Sequence, residues 1–130
     1  MLSNWIVKSE KRLLNVHNNI ASKLKSIKRV FISKGQMMKT FDYINSLHAK
    51  NDYRGIETMI SMLHNNLPPI HSPRYHKYQQ LIDYSIFLIE IKNIDNYNEC
   101  NILAYDLIQS LNVGHELGCN IQNRVYELIR

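Results

Sequence analysis

Apolar residues fall at helical spacing along almost all of this chain, and one stretch of the pattern is written twice. The segment Asn51 to Leu67, NDYRGIETMISMLHNNL, returns forty-four residues later as DNYNECNILAYDLIQSL, from Asp95 to Leu111. Each copy opens on an Asn/Asp pair and a Tyr. Apolar residues then sit at matching offsets: Tyr53 with Tyr97, Ile56 with Cys100, Met59 with Leu103, Ile60 with Ala104, Leu63 with Leu107, Leu67 with Leu111. Such offsets mark one face of an α-helix. The preceding residues correspond too, with Met37, Met38, Tyr43, Ile44 and Leu47 opposite Leu81, Ile82, Phe87, Leu88 and Ile91. Two related helix-turn-helix units are predicted, and a shared packing plan requires equivalent surroundings for Tyr53 and Tyr97.

The same periodicity divides the rest of the chain. From Trp5 to about Ile32, Ile6, Leu13, Ile20 and Ile27 recur every seven residues, with His17, Leu24 and Phe31 on the same stripe and Lys8, Lys11, Arg12, Lys25 and Arg29 behind it. This predicts a long amphipathic helix with a basic back, Asn15, Asn18 and Asn19 marking a possible break and Gly35 the C-cap. Helices follow over Met37 to Ala49, Tyr53 to about Asn65, about Tyr75 to Lys92, Tyr97 to Leu111, and about Cys119 to Ile129. Asn51 or Asp52 caps the second of these by accepting from its free N–H groups. Pro68, Pro69 and Pro73 hold NLPPIHSPR extended, whereas Gly114 and Gly118 punctuate before the last helix. One domain of about six helices is expected: a basic helix (1–36), hairpin unit one (37–68), a proline loop (69–74), hairpin unit two (75–112) and a capping helix (113–130).

Composition supports an all-α chain. Four Gly and three Pro are too few for the turns of a many-stranded sheet. No apolar run approaches a membrane span, and the N-terminus carries charge where a signal peptide is apolar, so a cytoplasmic protein is expected. Cys100 takes the inward position of Ile56 and reads as a small buried hydrophobe; two cysteines make no secreted framework, though spacing alone leaves a bridge to Cys119 open. Of the net charge of +5, residues 1–39 supply +8, from nine Lys/Arg against Glu10. That asymmetry points the segment 8–34 toward an acidic partner: nucleic acid, membrane surface or protein.

Unit by unit, the pattern resembles the tetratricopeptide repeat. The turns Asn51, Asp52, Tyr53 and Asp95, Asn96, Tyr97 are similar to its Gly-Asp-Tyr-like turn, Cys100 matches its small residue early in the second helix, and Pro68 stands where its Pro falls. The likeness covers residues 37–68 and 81–112, and the proline loop stretches the family's step of about thirty-four residues. The pentatricopeptide repeat, which reads RNA, resembles the same segments. The resemblance implies antiparallel helical hairpins whose first helices form an inner surface, mapping onto Met38, Phe41, Asn45 and His48, then Ile82, Ser85, Ile89 and Lys92. It also implies a role in holding a partner protein or peptide, as an adaptor or chaperone. Alternatively, these apolar side chains are core beneath the N-terminal helix.

Candidate chemistry is sparse. His64, His71 and His76 gather around the proline loop, but no Cys or carboxylate completes a ligand spacing, so no metal or cofactor is expected. Phosphate loops, a nucleophile elbow and HExxH are absent from the sequence. The carboxylates Asp83, Glu90, Glu99 and Asp106 stand singly, and no enzymatic role is predicted. Lys23, Lys25, Lys28 and Arg29 are the nucleic-acid alternative, through phosphate contacts rather than base stacking, since few aromatics accompany them. The same residues are also readable as a solvated basic face, or the segment as a matrix-targeting presequence.

Overall fold

The computed structural model describes residues 36–130, and among them five helices and no strand are found. They are α1 (Met37–Ala49), α2 (Tyr53–Asn65), α3 (Pro73–Lys92), α4 (Tyr97–Ser110) and α5 (Glu116–Leu128). The expected basic helix, with Lys23, Lys25, Lys28 and Arg29, lies outside the described residues. By contact the chain divides into two compact units, Met1–Leu67 and Pro68–Arg130, and the boundary falls at the first proline of the proline stretch.

In the first unit, α1 packs on α2. Met37, Phe41, Ile44 and Leu47 are buried at spacings of three and four, as one helical face demands. Ile56, Met59, Ile60 and Leu63 do the same from α2, where Ser61 and Met62 are buried as well. Five consecutive residues, Met59 to Leu63, are thus out of water, so α2 is covered on every side over that turn.

The link between α1 and α2 is a three-residue turn with both helix ends satisfied. Asn51 takes φ 57, and its amide donates to the His48 carbonyl at 3.0 Å while the Asp52 amide donates to Leu47 at 2.9 Å. This is the Schellman arrangement, in which a residue in the left-handed region closes the last turn; Asn is one of the few non-glycine residues that accept it. Asp52 then caps α2, its Oδ1 accepting from the Gly55 amide at 2.9 Å. Two adjacent residues close one helix and open the next.

In the second unit, α3 packs on α4 and α5, and α4 on α5. Tyr78, Leu81, Ile82, Tyr84, Phe87 and Leu88 of α3 meet a core completed by Ala104 and Leu107 of α4 and by Leu117, Ile121 and Val125 of α5. Two expectations about breakers are corrected. Pro73 does not extend the chain but starts α3, because the first helical position has no amide partner to lose and Ser72 caps in front of it, accepting from the Arg74 amide at 3.3 Å. Nor does Gly118 punctuate. It is buried inside α5, where a Cβ would lie 2.1 Å from the Asn112 carbonyl oxygen, so the glycine allows the preceding loop to cross the helix at backbone contact. The cap of α5 is His115, whose Nδ1 accepts from the Gly118 amide at 3.1 Å.

Candidate partner-binding surface

On α1 the residues mapped to an inner surface differ in accessibility. Phe41 is buried, whereas Met38, Asn45 and His48 are half-buried. The His48 ring meets Tyr53 edge to face, 6.1 Å between centroids. On α3 accessibility rises toward the turn, with Ile82 and Ser85 buried, Ile89 half-buried and Lys92 exposed. The Ser85 hydroxyl donates to the Leu81 carbonyl at 2.7 Å, inside its own helix. Phe41, Ile82 and Ser85 are therefore corrected from surface to core. Periodicity identified their face, but that face is covered at Phe41 in α1 and at Ile82 and Ser85 midway along α3. What solvent reaches is Met38, Asn45 and His48 on α1, and Ile89 and Lys92 near the end of α3.

The two helix pairs bury the same positions along their seams. Met37 with Leu81, Ile44 with Leu88, Ile60 with Ala104 and Leu63 with Leu107 are buried in both copies. They part company beside the turns. Tyr53 is half-buried against His48, whereas Tyr97 is exposed; Ile56 and Met59 are buried, whereas Cys100 and Leu103 are half-buried. Tyr43 is exposed and its counterpart Phe87 buried. Equivalent surroundings for the two tyrosines do not hold, so the expected packing plan is not shared throughout and the likeness is confined to the seam positions. The physical reason is in the second turn, where four residues rather than three join the helices and no residue has a positive φ, so α4 starts from a different backbone path.

Titrating groups in the second unit are held by burial more than by charge. Burial raises the Asp83 carboxyl, with partial offset because the Gln79 amide donates to its Oδ1 at 3.2 Å. Glu90 is raised by burial alone. Tyr84 is pushed far up by burial, against the pull of Arg124, which is hydrogen-bonded to it and also donates to Glu127 Oε2 at 3.0 Å. That cluster ties α5 to α3, with the Tyr84 ring buried and Glu127 at the exposed edge. Burial lowers His115, as do the nearby charges of Lys77 and His76, which keeps its cap nitrogen unprotonated and able to accept.

His64, His71 and His76 are exposed, and the described residues bring together no group of three or more His, Cys, Asp or Glu that could hold a metal ion. Both cysteines are free thiols. Cys100 is half-buried, and exposed Cys119 donates to the Val113 carbonyl at 3.1 Å. No helix among the described residues is long and apolar enough to cross a membrane. The sequence reading passed over the outer side of α4, where Ile102 and Tyr105 are exposed. A signal was present, since Ile102 and Tyr105 fall outside the shared apolar offsets. The chain matches no protein-family model, no curated protein and no solved structure.

Proposed function

We propose that this chain is a non-enzymatic, cytoplasmic binding module whose two helix pairs are divergent tetratricopeptide-like antiparallel hairpins, holding a partner protein or peptide as an adaptor or chaperone. The observation that carries the reading is the recurrence of the buried seam, Met37, Ile44, Ile60 and Leu63 in one pair and Leu81, Leu88, Ala104 and Leu107 in the other. Repeated helix pairs commonly serve as binding modules. The contact residues are those that remain accessible on the first helix of each unit taken by itself: Met38, Asn45 and His48 in the first, Ile89 and Lys92 in the second. Selection of a displayed random-peptide library on the immobilised full chain tests this. Enriched peptides should lose about tenfold or more in affinity to the His48→Glu and Ile89→Glu variants. Failure of any peptide to enrich, or indifference of the enriched ones to both substitutions, would sink it.

The charge balance of residues 1–39 favours a second reading, nucleic-acid binding through Lys23, Lys25, Lys28 and Arg29. Its signature is different, because phosphate contacts release counterions and the affinity must fall steeply with salt. Duplex and single-stranded probes titrated at low and high salt separate the two readings, with Gln substituted for Lys23, Lys25, Lys28 and Arg29 as control.

A further inference from the structure

We propose that the outer face of α4 docks a cationic amphipathic helix carried by another protein. This goes beyond the surface assigned above, which lies on α1 and α3. Of the fourteen residues of α4, Ala104 and Leu107 alone are buried. Tyr97, Ile102 and Tyr105 are instead 64%, 60% and 64% exposed. Ile102 stands three before Tyr105, so these two share the side of the helix turned away from buried Ala104 and Leu107, whereas Tyr97, seven residues before Ala104, is exposed at the start of the helix on the other side. Glu99, three residues before Ile102, and Asp106, four after it, edge that side and are exposed as well. Large apolar groups are thus bordered by carboxylates.

Charge identifies the occupant. From Asn93 to Asn123 the chain has no Lys or Arg, although sixteen are present overall, while Asp95, Glu99, Asp106 and Glu116 give the segment −4. Nucleic acid and anionic lipid are repelled by such a face. A second copy meeting it through the same patch would set Glu99 and Asp106 against their own equivalents, as the two-fold symmetry of such a contact requires. A helix that presents an apolar ridge bordered by Lys or Arg meets both features. Glu99 and Asp106 are seven residues apart, about 10 Å along the axis, which matches cations seven residues apart on a facing helix. The ring of Tyr105 adds a face over which a guanidinium or ammonium is attracted.

Fluorescence anisotropy with the full chain provides the test. The probe is a labelled model peptide of about eighteen residues, Leu on one helical face and Lys on the other, long enough to cover α4. Two controls accompany it: the same peptide with each Lys replaced by Glu, and a scrambled Leu/Lys peptide without an apolar face. The amphipathic Lys peptide alone should bind. Ile102→Asp with Tyr105→Asp should weaken it by about tenfold or more. Glu99→Gln with Asp106→Asn should weaken it several-fold, by about three to ten, and flatten its salt dependence. Because these side chains are exposed, melting curves should stay close to the parent's and show that lost binding is not lost folding. Equal binding of either control peptide, or an unchanged affinity in the Ile102/Tyr105 variant, would overturn the proposal. So would sedimentation showing a dimer of the parent that these substitutions dissolve, since the face would then belong to a second copy.

Discussion

The turn at Lys50–Asp52 and the turn at Asn93–Asn96 begin from nearly the same letters and reach different structures. In the first, Asn51 enters the left-handed region and Asp52 caps, so α2 starts immediately and Tyr53 lands on His48. In the second the pair is reversed to Asp95 and Asn96. Asn96 keeps the capping role, accepting from the Asn98 amide at 2.8 Å, but Asp95 does not take a positive φ. The turn is one residue longer and Tyr97 faces water. A helix-helix seam tolerates exchange among apolar residues of similar bulk. A tight turn does not, because its geometry is decided by one residue's backbone preference, and it is beside the turns that the two copies differ.

The contrast is sharpest at the glycines. Gly118→Ala should be the most damaging single methyl group in the described chain, because its Cβ would meet the backbone of Asn112 at 2.1 Å and no side chain can rotate aside. We expect a loss of about 3 kcal/mol or more, at the upper end of overpacking costs, read by urea denaturation. Gly55→Ala meets the side-chain ends of Asp52 and Leu47, which can move. Better helix propensity there offsets part of a weakened cap, and the net loss should stay within about 1 kcal/mol. If the two variants lose equal stability, the backbone crossing at Gly118 is not the constraint described.

Asn51 is the next largest expected effect. Asn51→Ala forces an alanine to φ 57 and should cost about 1 to 2 kcal/mol, whereas Asn51→Gly should be close to neutral. Asp95→Ala, at the corresponding place in the second turn, should change stability by no more than about 0.5 kcal/mol. Equal losses at Asn51 and Asp95 would restore the equivalence of the turns. The tyrosines extend the same comparison: Tyr53→Ala should lose about 1 kcal/mol with its edge contact to His48, and Tyr97→Ala close to nothing.

Much of the fold was legible because helix periodicity is a long-range signal, repeated over several turns. It located α1 and α2 to the residue, as well as the start of α4 and the end of α3. The starts of α3 and α5 were misplaced for a local reason: Pro73 and Gly118 were read as breakers, whereas a proline fits the first helical turn and a glycine fits a crossing. The candidate surface was less legible. A period tells which residues share a face but not whether something covers it, so Phe41, Ile82 and Ser85 could not be separated from Asn45, His48, Ile89 and Lys92. The outer face of α4 went unread for the opposite reason, because attention to the repeated offsets passed over Ile102 and Tyr105 between them.

His115 gives the smallest effect and one that only the second unit should show. Its Nδ1 accepts from the Gly118 amide, a role that a protonated ring nitrogen cannot fill. Burial first, and then Lys77 and His76, lower its folded-state pKa below the ordinary 6.5. The unfolded chain therefore binds the proton more readily than the folded one, and stability must fall as pH falls. The contribution is complete above about 6.5, the unfolded value, and is lost as pH drops through the depressed folded value. Its ceiling is the worth of one N-cap, about 1 kcal/mol. Urea midpoints taken from pH 8 downward should show this slope in the parent and lose it in His115→Asn, which caps with a side-chain oxygen that does not titrate. His64→Asn, an exposed position in the first unit, should leave the slope in place. A slope that survives His115→Asn would assign the pH dependence to another group and leave the cap as geometry without consequence for stability.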